Sequence, residues 1–444
     1  MIQFIRSLYF HQRFYAYISL ISAGFLLSFW WDFMWSFATI ISLIFSVLLI
    51  LDIVLLYRFS EAIKAGRLLS DKLSNSDKNE IVLELSNLYP FDTFIRLIDE
   101  LPFQFQVRDF AKKIHLKKGE KKQISYTVKP NERGVYEFGN MNVYVSSRLK
   151  MISRRYLFDN KQEVAVYPSY MQMKKYEFLA FHNNLTEFGL KKIRRIGHTM
   201  EFEQIKNYVV GDDVRTINWK ATAKKGDLMV NQYQDEKSQP IYSMIDIGRV
   251  MKMPFNGLKL LDYSINSSLA FSNIALLKND KAGMLTFSKK VENRVVASNK
   301  KTNLSLINEV LYKIDTDFSD SDFGLLYATV KRTINQRSFL ILYTNFEHIS
   351  ALKRQLPYLK ALAKKHLLLV VFFENTELDE LIKENAEDLQ SVYNKAIAQK
   401  FSYDKKLMVK ELNNNGIYAI LTKPEELSVN VINKYLQFKS KGLI

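Results

Sequence analysis

The chain of 444 residues contains no cysteine. That removes disulfides, thiol catalysis, thiolate zinc sites and iron–sulfur clusters in one step. Histidine is scarce: only His11, His115, His182, His198, His348 and His366 occur. No two of them lie three to five residues apart and no H-E-x-x-H is present, so a histidine metal site has no local signature. Fifteen glycines in the whole chain leave little room for a nucleotide loop. Indeed no G-x-x-x-x-G-K-[ST], G-x-G-x-x-G or G-x-S-x-G is found. Acidic residues are outnumbered, 46 against 63 basic, for a net charge of +17. Residues 1–58 hold three arginines and two aspartates, so about +16 lies beyond them. Such an excess fits nucleic acid, an anionic membrane surface or an acidic partner. What is present is ordinary for folded protein, 48% hydrophobic and 25% charged, and the length predicts about three domains.

The N-terminus decides among those partners. Phe14–Trp31 has no charge, and Phe33–Tyr57 has one, Asp52. About 20 apolar residues cross a hydrocarbon core of roughly 30 Å, so residues 14–31 and 33–57 are predicted as two transmembrane helices. Asp32 lies between them, with Trp30, Trp31 and Trp35 around it. Indole rings favour the interface, so the pair reads as a tight hairpin with its tip at one membrane face. A cleavable signal fits poorly: the apolar stretch is long and a second follows at once. Arg6 and Arg13 precede the hairpin, and Arg58, Lys64, Arg67 and Lys72 follow it. The positive-inside rule then puts both termini in the cytoplasm of a multi-pass protein of the cytoplasmic (inner) membrane. A basic domain held beside anionic lipid explains the charge without nucleic acid. Asp52 stands six residues, about 9 Å, from Arg58 on one helix, so pairing or snorkelling at the interface outweighs an ion relay.

Beyond residue 58 the pattern divides the chain further. Residues 59–78 read as a helical connector. Residues 79–170 hold short β-branched or aromatic runs: Ile81–Leu85, Phe94–Ile98, Phe103–Val107, Gln123–Val128, Val135–Phe138, Met141–Val145 and Glu163–Tyr167. Polar turns separate them, predicting an antiparallel, immunoglobulin-like β-sandwich. Its basic cluster, Lys112, Lys113, Lys117, Lys118, Lys121 and Lys122, reads as protection of an edge strand ahead of nucleic-acid binding. Residues 241–444 alternate strands with helices, predicting an α/β domain with a mostly parallel sheet. Its strands are Ile241–Ile245, Ala282–Phe287, an edge at Val291–Ala297, Ser338–Tyr343, Leu367–Phe373 and Ile417–Leu421. Helices are expected at Leu258–Leu277, Leu304–Ile314, Gly324–Ile334, Ile349–Lys365, Glu377–Lys400, Tyr403–Leu412 and Pro424–Phe438. Ligand sites of such sheets lie at the carboxyl ends of the strands, here Asp246 and Thr344–Asn345.

Residues 171–240 hold the most unusual stretch, GLKKIRRIGHTMEFEQIKNYVVGDDVRTINWKATAKKGDLMVNQYQDEK. It resembles the signature of the DUF58 family, roughly G-x-E-F, a Tyr, then G-D-D/x-x-R-x-I-D-W-K-x-x-A-R and a later acidic residue. Gly197, Glu201, Phe202, Tyr208, Gly211, Asp212, Asp213, Arg215, Ile217, Trp219, Lys220, Ala223 and Glu236 match. Asn218 replaces the usual Asp and Lys224 the usual Arg. The family's layout is paired N-terminal spans, a β region, the signature and a von Willebrand factor A-like domain. Physically, Asp212, Asp213 and Arg215 could form a charged network under Trp219; the plainer reading is that the segment docks one domain on another.

The resemblance also implies a metal loop of the form D-x-S-x-S, with two hydroxyls as hard oxygen ligands. This chain has Asp246, Gly248 and Val250 there, and Asn345 where a later Asp is usual. A lone carboxylate beside Arg249 is a poor magnesium cage, so no metal is expected, and Asp246 is expected to pair with Arg249, Lys252 or a signature residue. No catalytic constellation or cofactor site is visible. The expected function is therefore non-enzymatic: a membrane-anchored, cytoplasm-facing protein-interaction module. The resemblance implies an adaptor for a MoxR-type AAA+ ATPase in bacterial envelope assembly or stress, with other envelope proteins as further partners. The alternative is a cation-dependent receptor using Asp246 and Thr302. A nucleic-acid binder is disfavoured because the basic clusters are scattered.

Overall fold

Apolar runs at the N-terminus and a continuous hydrophobic alternation at the C-terminus organise the chain around separate cores. A computed structural model describes residues 2–107, 109–181, 201–234, 238–383 and 388–444. It divides into two compact units, Met1–Tyr167 and Pro168–Ile444.

The first unit opens with α1 (Ile2–Ser7), β1 (Leu8–Phe10), α2 (Gln12–Leu27) and α3 (Phe33–Tyr57). α2 and α3 pack antiparallel. Phe14 meets Phe45 with ring centres 5.7 Å apart, and Phe25 meets Trp35 at 5.6 Å. Gly24 admits Ala38, whose Cβ lies 3.5 Å from where a glycine side chain would begin. The first predicted span, 14–31, is corrected: its helix ends at Leu27 and the chain turns through residues 28–32. Sixteen residues rise about 24 Å, short of the roughly 30 Å core. Among the described residues α3 is the one helix long and apolar enough to cross a membrane.

Asp52 does not pair with Arg58. It is buried, and its carboxylate accepts from Ser147 Oγ (2.5 Å) and from the backbone N–H groups of Met151 (3.1 Å) and Ile152 (3.2 Å). Four residues on, Leu56 joins the β core, with Leu49 and Ile53 beside it. Arg154 crowns the helix end, donating to the carbonyls of Leu56 and Phe59, where the helix dipole favours a cation.

The predicted helical connector 59–78 is strand instead. β2 (Ile63–Leu68) and β3 (Lys72–Ser74) precede β4 (Asn79–Asn87) and β5 (Thr93–Asp99). β2 pairs antiparallel with β4, Ile63 opposite Asn87 and Leu68 opposite Val82; cross-strand packing overrides a short, ambiguous periodicity. β6 (Ala111–Leu116), β7 (Lys121–Val128), β8 (Gly134–Phe138), β9 (Met141–Ser146), β10 (Ile152–Phe158) and β11 (Gln162–Tyr167) complete the unit. Three sheets form, with orders β1-β10-β9-β5-β6, β3-β11-β8 and β2-β4-β7, all antiparallel except β3 with β11. The expected β region is present as three hydrogen-bonded sheets and runs from β1 to Tyr167. The predicted strand Phe103–Val107 is a single 3-10 turn behind Pro102. The lysine cluster lies on β6, β7 and their turn, and both strands are sheet edges, where lysine blocks edge-to-edge pairing. Arg67 on β2 grips Asp99 on β5 and the carbonyls of Asn160 and Gly139, and Tyr126 of β7 donates to the same carboxylate. Two sheets are thereby joined through one buried, fully bonded ion pair.

The second unit begins with α4 (Tyr170–Phe181), β12 (Glu201–Asn207), α5 (Trp219–Lys225) and β13 (Met229–Gln234). Next come β14 (Pro240–Asp246), the short pair β15 (Pro254–Phe255) and β16 (Leu258–Lys259), α6 (Leu260–Leu277), β17 (Lys281–Phe287) and β18 (Val291–Ser298). Then follow α7 (Thr302–Lys313), α8 (Phe323–Thr333), β19 (Phe339–Tyr343), α9 (Ile349–Lys365) and β20 (Leu367–Phe373). The chain closes with α10 (Thr376–Lys383), α11 (Leu389–Asn414), β21 (Tyr418–Thr422) and α12 (Leu427–Ser440). The six-stranded sheet runs β18-β17-β14-β19-β20-β21, parallel except for the edge strand β18. Odd and even side chains divide between two cores. Ile341, Leu369 and Val371 face α6, α7 and α12; Leu340, Leu342 and Val370 face α8, α9 and α11. The last long helix is placed differently from expectation: it is unbroken from Leu389 to Asn414, with no interruption at residues 401–402.

Replacing Asp52 strands three buried donors. Asp52→Ala is expected to destabilise the first unit by about 3 kcal/mol and Asp52→Asn by less. Hydrogen exchange at the Met151 and Ile152 amides reads this directly, and unchanged protection in Asp52→Ala refutes the anchoring role.

Candidate functional site

The signature stretch folds as a hairpin with a helical insertion. β12 and β13 pair antiparallel, Ile205 opposite Asn231 and Asn207 opposite Met229. Between them the polar signature residues hold turns and caps. Asp212 accepts from Lys206 Nζ (2.9 Å) and from Val209 N–H (3.0 Å), and these bonds hold its carboxyl below the usual carboxylate range. Gly211 takes a φ of 111°, which favours glycine. Asp213 accepts from the Arg215 backbone N–H (3.0 Å) and so caps the 3-10 turn Val214–Thr216. Asn218 caps α5 through Ala221 N–H (3.0 Å) and reaches Asn231 across the hairpin (2.8 Å). An aspartate could cap α5 equally, but only an amide donates to Asn231.

The charged network of Asp212, Asp213 and Arg215 under Trp219, the alternative to a plain docking role, is therefore not what forms. Asp213 meets the backbone of Arg215, and the Arg215 side chain is exposed. Trp219 is 69% exposed, with Lys220 exposed beside it. Val209, Val210 and Val214 are exposed too, Val210 at 95%. Tyr208 is half-buried. Glu201 and Phe202 open β12. Gly197 and Glu236 lie outside the described residues.

A second cluster forms where β14 and β19 end. Asp246 is buried and accepts from Ser321 Oγ (2.5 Å), Thr344 Oγ1 (2.7 Å) and Gly248 N–H (2.9 Å). Burial pushes its carboxyl above the ordinary value, and these bonds only partly offset that. The expected pairing with Arg249, Lys252 or the signature is corrected. Arg249 is exposed, 3.9 Å from Asp320, and Lys252 lies over the Phe318 ring. Gly248 explains the missing hydroxyl. A Cβ there would meet Ser321 Oγ at 2.3 Å, so the hydroxyl reaching Asp246 comes from a different loop. Val250 is half-buried against the α6-side core. Thr302 is exposed at the start of α7; the hydroxyls on Asp246 are those of Ser321 and Thr344.

Asn345, next to Thr344, is engaged by a residue the sequence reading missed. Lys405 on α11 donates to Asn345 Oδ1 (2.5 Å) and to Phe346 O (2.7 Å). Burial lowers its amine to about 8, and Glu347 partly counters this. Among the described residues no group of three or more histidines and carboxylates could hold a metal ion.

Residues 204–389 match the family model described as "Protein of unknown function DUF58". The match takes in the signature from Tyr208 to Lys220 and the sheet as far as β20, and leaves Glu201 and Phe202 outside it. A curated relative, "Uncharacterized protein YeaD" of Bacillus subtilis (strain 168), is 24% identical over 123 residues, 28% of this chain. The chain thus spans about a third of that relative's length, 30%. Among solved structures, the conserved hypothetical protein BatB of Bacteroides thetaiotaomicron is 15% identical, covering 45% of this chain and 98% of that one, at a TM-score of 0.29. An aerotolerance-related membrane protein of Bacteroides fragilis NCTC 9343 is 13% identical, covering 44% and 98%, at 0.26. At such scores the likeness carries no structural argument.

Asp246 gives a signed pH prediction. Its folded value lies above the unfolded one, so its contribution to stability is present below the ordinary carboxylate range and is lost as pH rises through the folded value. Above the ordinary carboxylate range, keeping this carboxyl buried costs stability. Asp246→Asn is expected to raise the melting midpoint at pH 7 by about 2–4 °C, roughly 1 kcal/mol, with the gain shrinking towards pH 4. A variant that melts lower at pH 7 refutes this account.

Proposed function

We propose that this protein is a non-enzymatic, membrane-anchored interaction module facing the cytoplasm, and that its signature hairpin docks a MoxR-type AAA+ ATPase. One observation carries the reading. Asp212, Asp213 and Asn218 are engaged in the hairpin's own turns and caps, and Val209, Val210, Val214 and Trp219 are left to solvent. Tryptophan and neighbouring apolar side chains on a braced turn are what a protein interface uses as anchors. Arg215 and Lys220 beside them suit a polar rim.

The anchor is α3 with α2 folded against it as the second arm of a hairpin. β1, just before α2, pairs with β10, and α3 ends at the same unit through Asp52. A hairpin that leaves and re-enters one folded unit dips into a bilayer from one side, and the arginines and lysines flanking it favour the cytoplasmic side. The ATPase and the envelope role come from the resemblance to the DUF58 family. No cofactor or nucleic acid is part of the reading.

The test is crosslinking in native membranes with the full-length tagged chain, followed by mass spectrometry. Recovery of an AAA+ ATPase, reduced about tenfold or more in the double variant Val210→Asp and Trp219→Ala, supports docking at the hairpin. Equal recovery with the variant moves the contact elsewhere. Absence of any ATPase across several crosslinking chemistries sinks the adaptor reading.

A further inference from the structure

The carboxyl ends of β19, β20 and β21 and the segment before α6 border a cavity of about 260 Å³. Ligand sites of open α/β sheets lie at this edge. The walls are apolar, with Phe255, Leu260, Phe373, Phe401 and Leu421 among them. One cation reaches this space among the described lining residues: Lys405 of α11.

Its surroundings leave the amine half provided for. An ammonium has three donors. Two of them go to neutral acceptors, Asn345 Oδ1 and Phe346 O. Among the described residues no carboxylate is in direct ion-pair contact with it; Glu347 acts only from a distance. Taking a cation out of water against neutral partners is costly, which shows in its lowered basicity. A carboxylate at the third donor would remove that cost, and an apolar body would fill the space beside it.

The charges at the mouth set the direction of entry. Glu347 is exposed and Glu374 half-exposed, and both line the cavity. His348 stacks on Phe401, 5.7 Å between ring centres. An anion resting at the mouth meets the two glutamates, whereas one seated at Lys405 is matched.

We infer that this cavity binds a small amphiphilic carboxylate, its acid group on Lys405 Nζ and its hydrocarbon body against the aromatic walls. The inference does not rest on the docking role of the hairpin: the two sites use different residues and are tested separately.

The experiment is equilibrium dialysis of labelled 4-phenylbutyrate against the full-length chain in lipid nanodiscs, with empty nanodiscs subtracted. 4-Phenylbutanol and 4-phenylbutylamine serve as neutral and cationic isosteres. The acid is expected to bind saturably, one per chain, about tenfold tighter than the alcohol, and the amine more weakly still. Lys405→Met should bring the acid down to the level of the alcohol, and Lys405→Arg should keep the preference. A second readout needs no variant. Saturating acid should protect Lys405, alone among the lysines, from acetylation by acetic anhydride, read by peptide mass spectrometry. Equal binding of alcohol and acid by the natural chain, no saturable binding at millimolar acid, or an unprotected Lys405 each overturns the inference.

Discussion

A carboxylate buried without a cation beside it must be satisfied by neutral donors, and that demand on Asp246 fixes how the loops lie at the carboxyl edge of the second unit. The strand β14 is buried from end to end and delivers Asp246 with it. Three donors converge there, from Gly248, Ser321 and Thr344, the last 98 residues away in sequence. To admit Ser321 the chain must have no side chain at residue 248. Asp317, in the same loop as Ser321, is itself bonded by Ser288 Oγ, so that loop is tied at two points to strand ends. The adjoining Asn345 then presents its carbonyl oxygen to Lys405. Hydroxyls, amides and one lysine thus hold the edge that a resemblance to metal-binding folds had marked for a cation.

The first unit solves the same problem at Asp52 with neutral donors, and buries Asp99 against a cation. Asp52 is met by a hydroxyl and two backbone N–H groups, and Asp99 by Arg67 and Tyr126. In each case one carboxylate joins segments that lie about 30 to 100 residues apart. Such partners lie beyond any local pattern. The sequence could mark Asp52 as unusual inside an apolar run, but nearness in sequence pointed to Arg58, and the donors came from β10 and the turn before it.

How much could be read in advance followed from how many faces of an element are buried. The strands FLILY and LLLVVFF are buried on both faces, so an uninterrupted apolar run announced them and their register in the chain. β6 and β10 are hard to read in sequence because AKKIHL and ISRRYLF carry adjacent lysines or arginines that break the apolar alternation. β2 and β3 read as helix in the sequence because six or three residues cannot establish a period against the pull of partner strands. α2 stopped short because apolar composition carries no stop signal of its own. In the signature, the acidic and amide residues looked like a charged network. Their placement just before short helical turns was the better clue, since that is where Asp and Asn act as caps. Lys405 also had a legible signal. Phe401, Lys405, Met408 and Leu412 share one helical stripe, and Met408 and Leu412 are fully buried, so a lysine on that stripe had to find a polar partner or stand at a cavity.

The way α3 joins the first unit bears on the proposed anchoring. Its residues Leu49, Asp52, Ile53 and Leu56 line or join the β core, while Val47, Ile50, Leu51 and Val54 on the other side are exposed. In the proposed topology one unbroken helix is both the apolar anchor and a structural element of the folded unit, with no linker between the two. A flexible linker would let a soluble domain sample many orientations above a bilayer. A shared helix, pinned by Asp52 and capped by Arg154, allows few. The β unit is then held at a set angle and height to the membrane in the proposed topology.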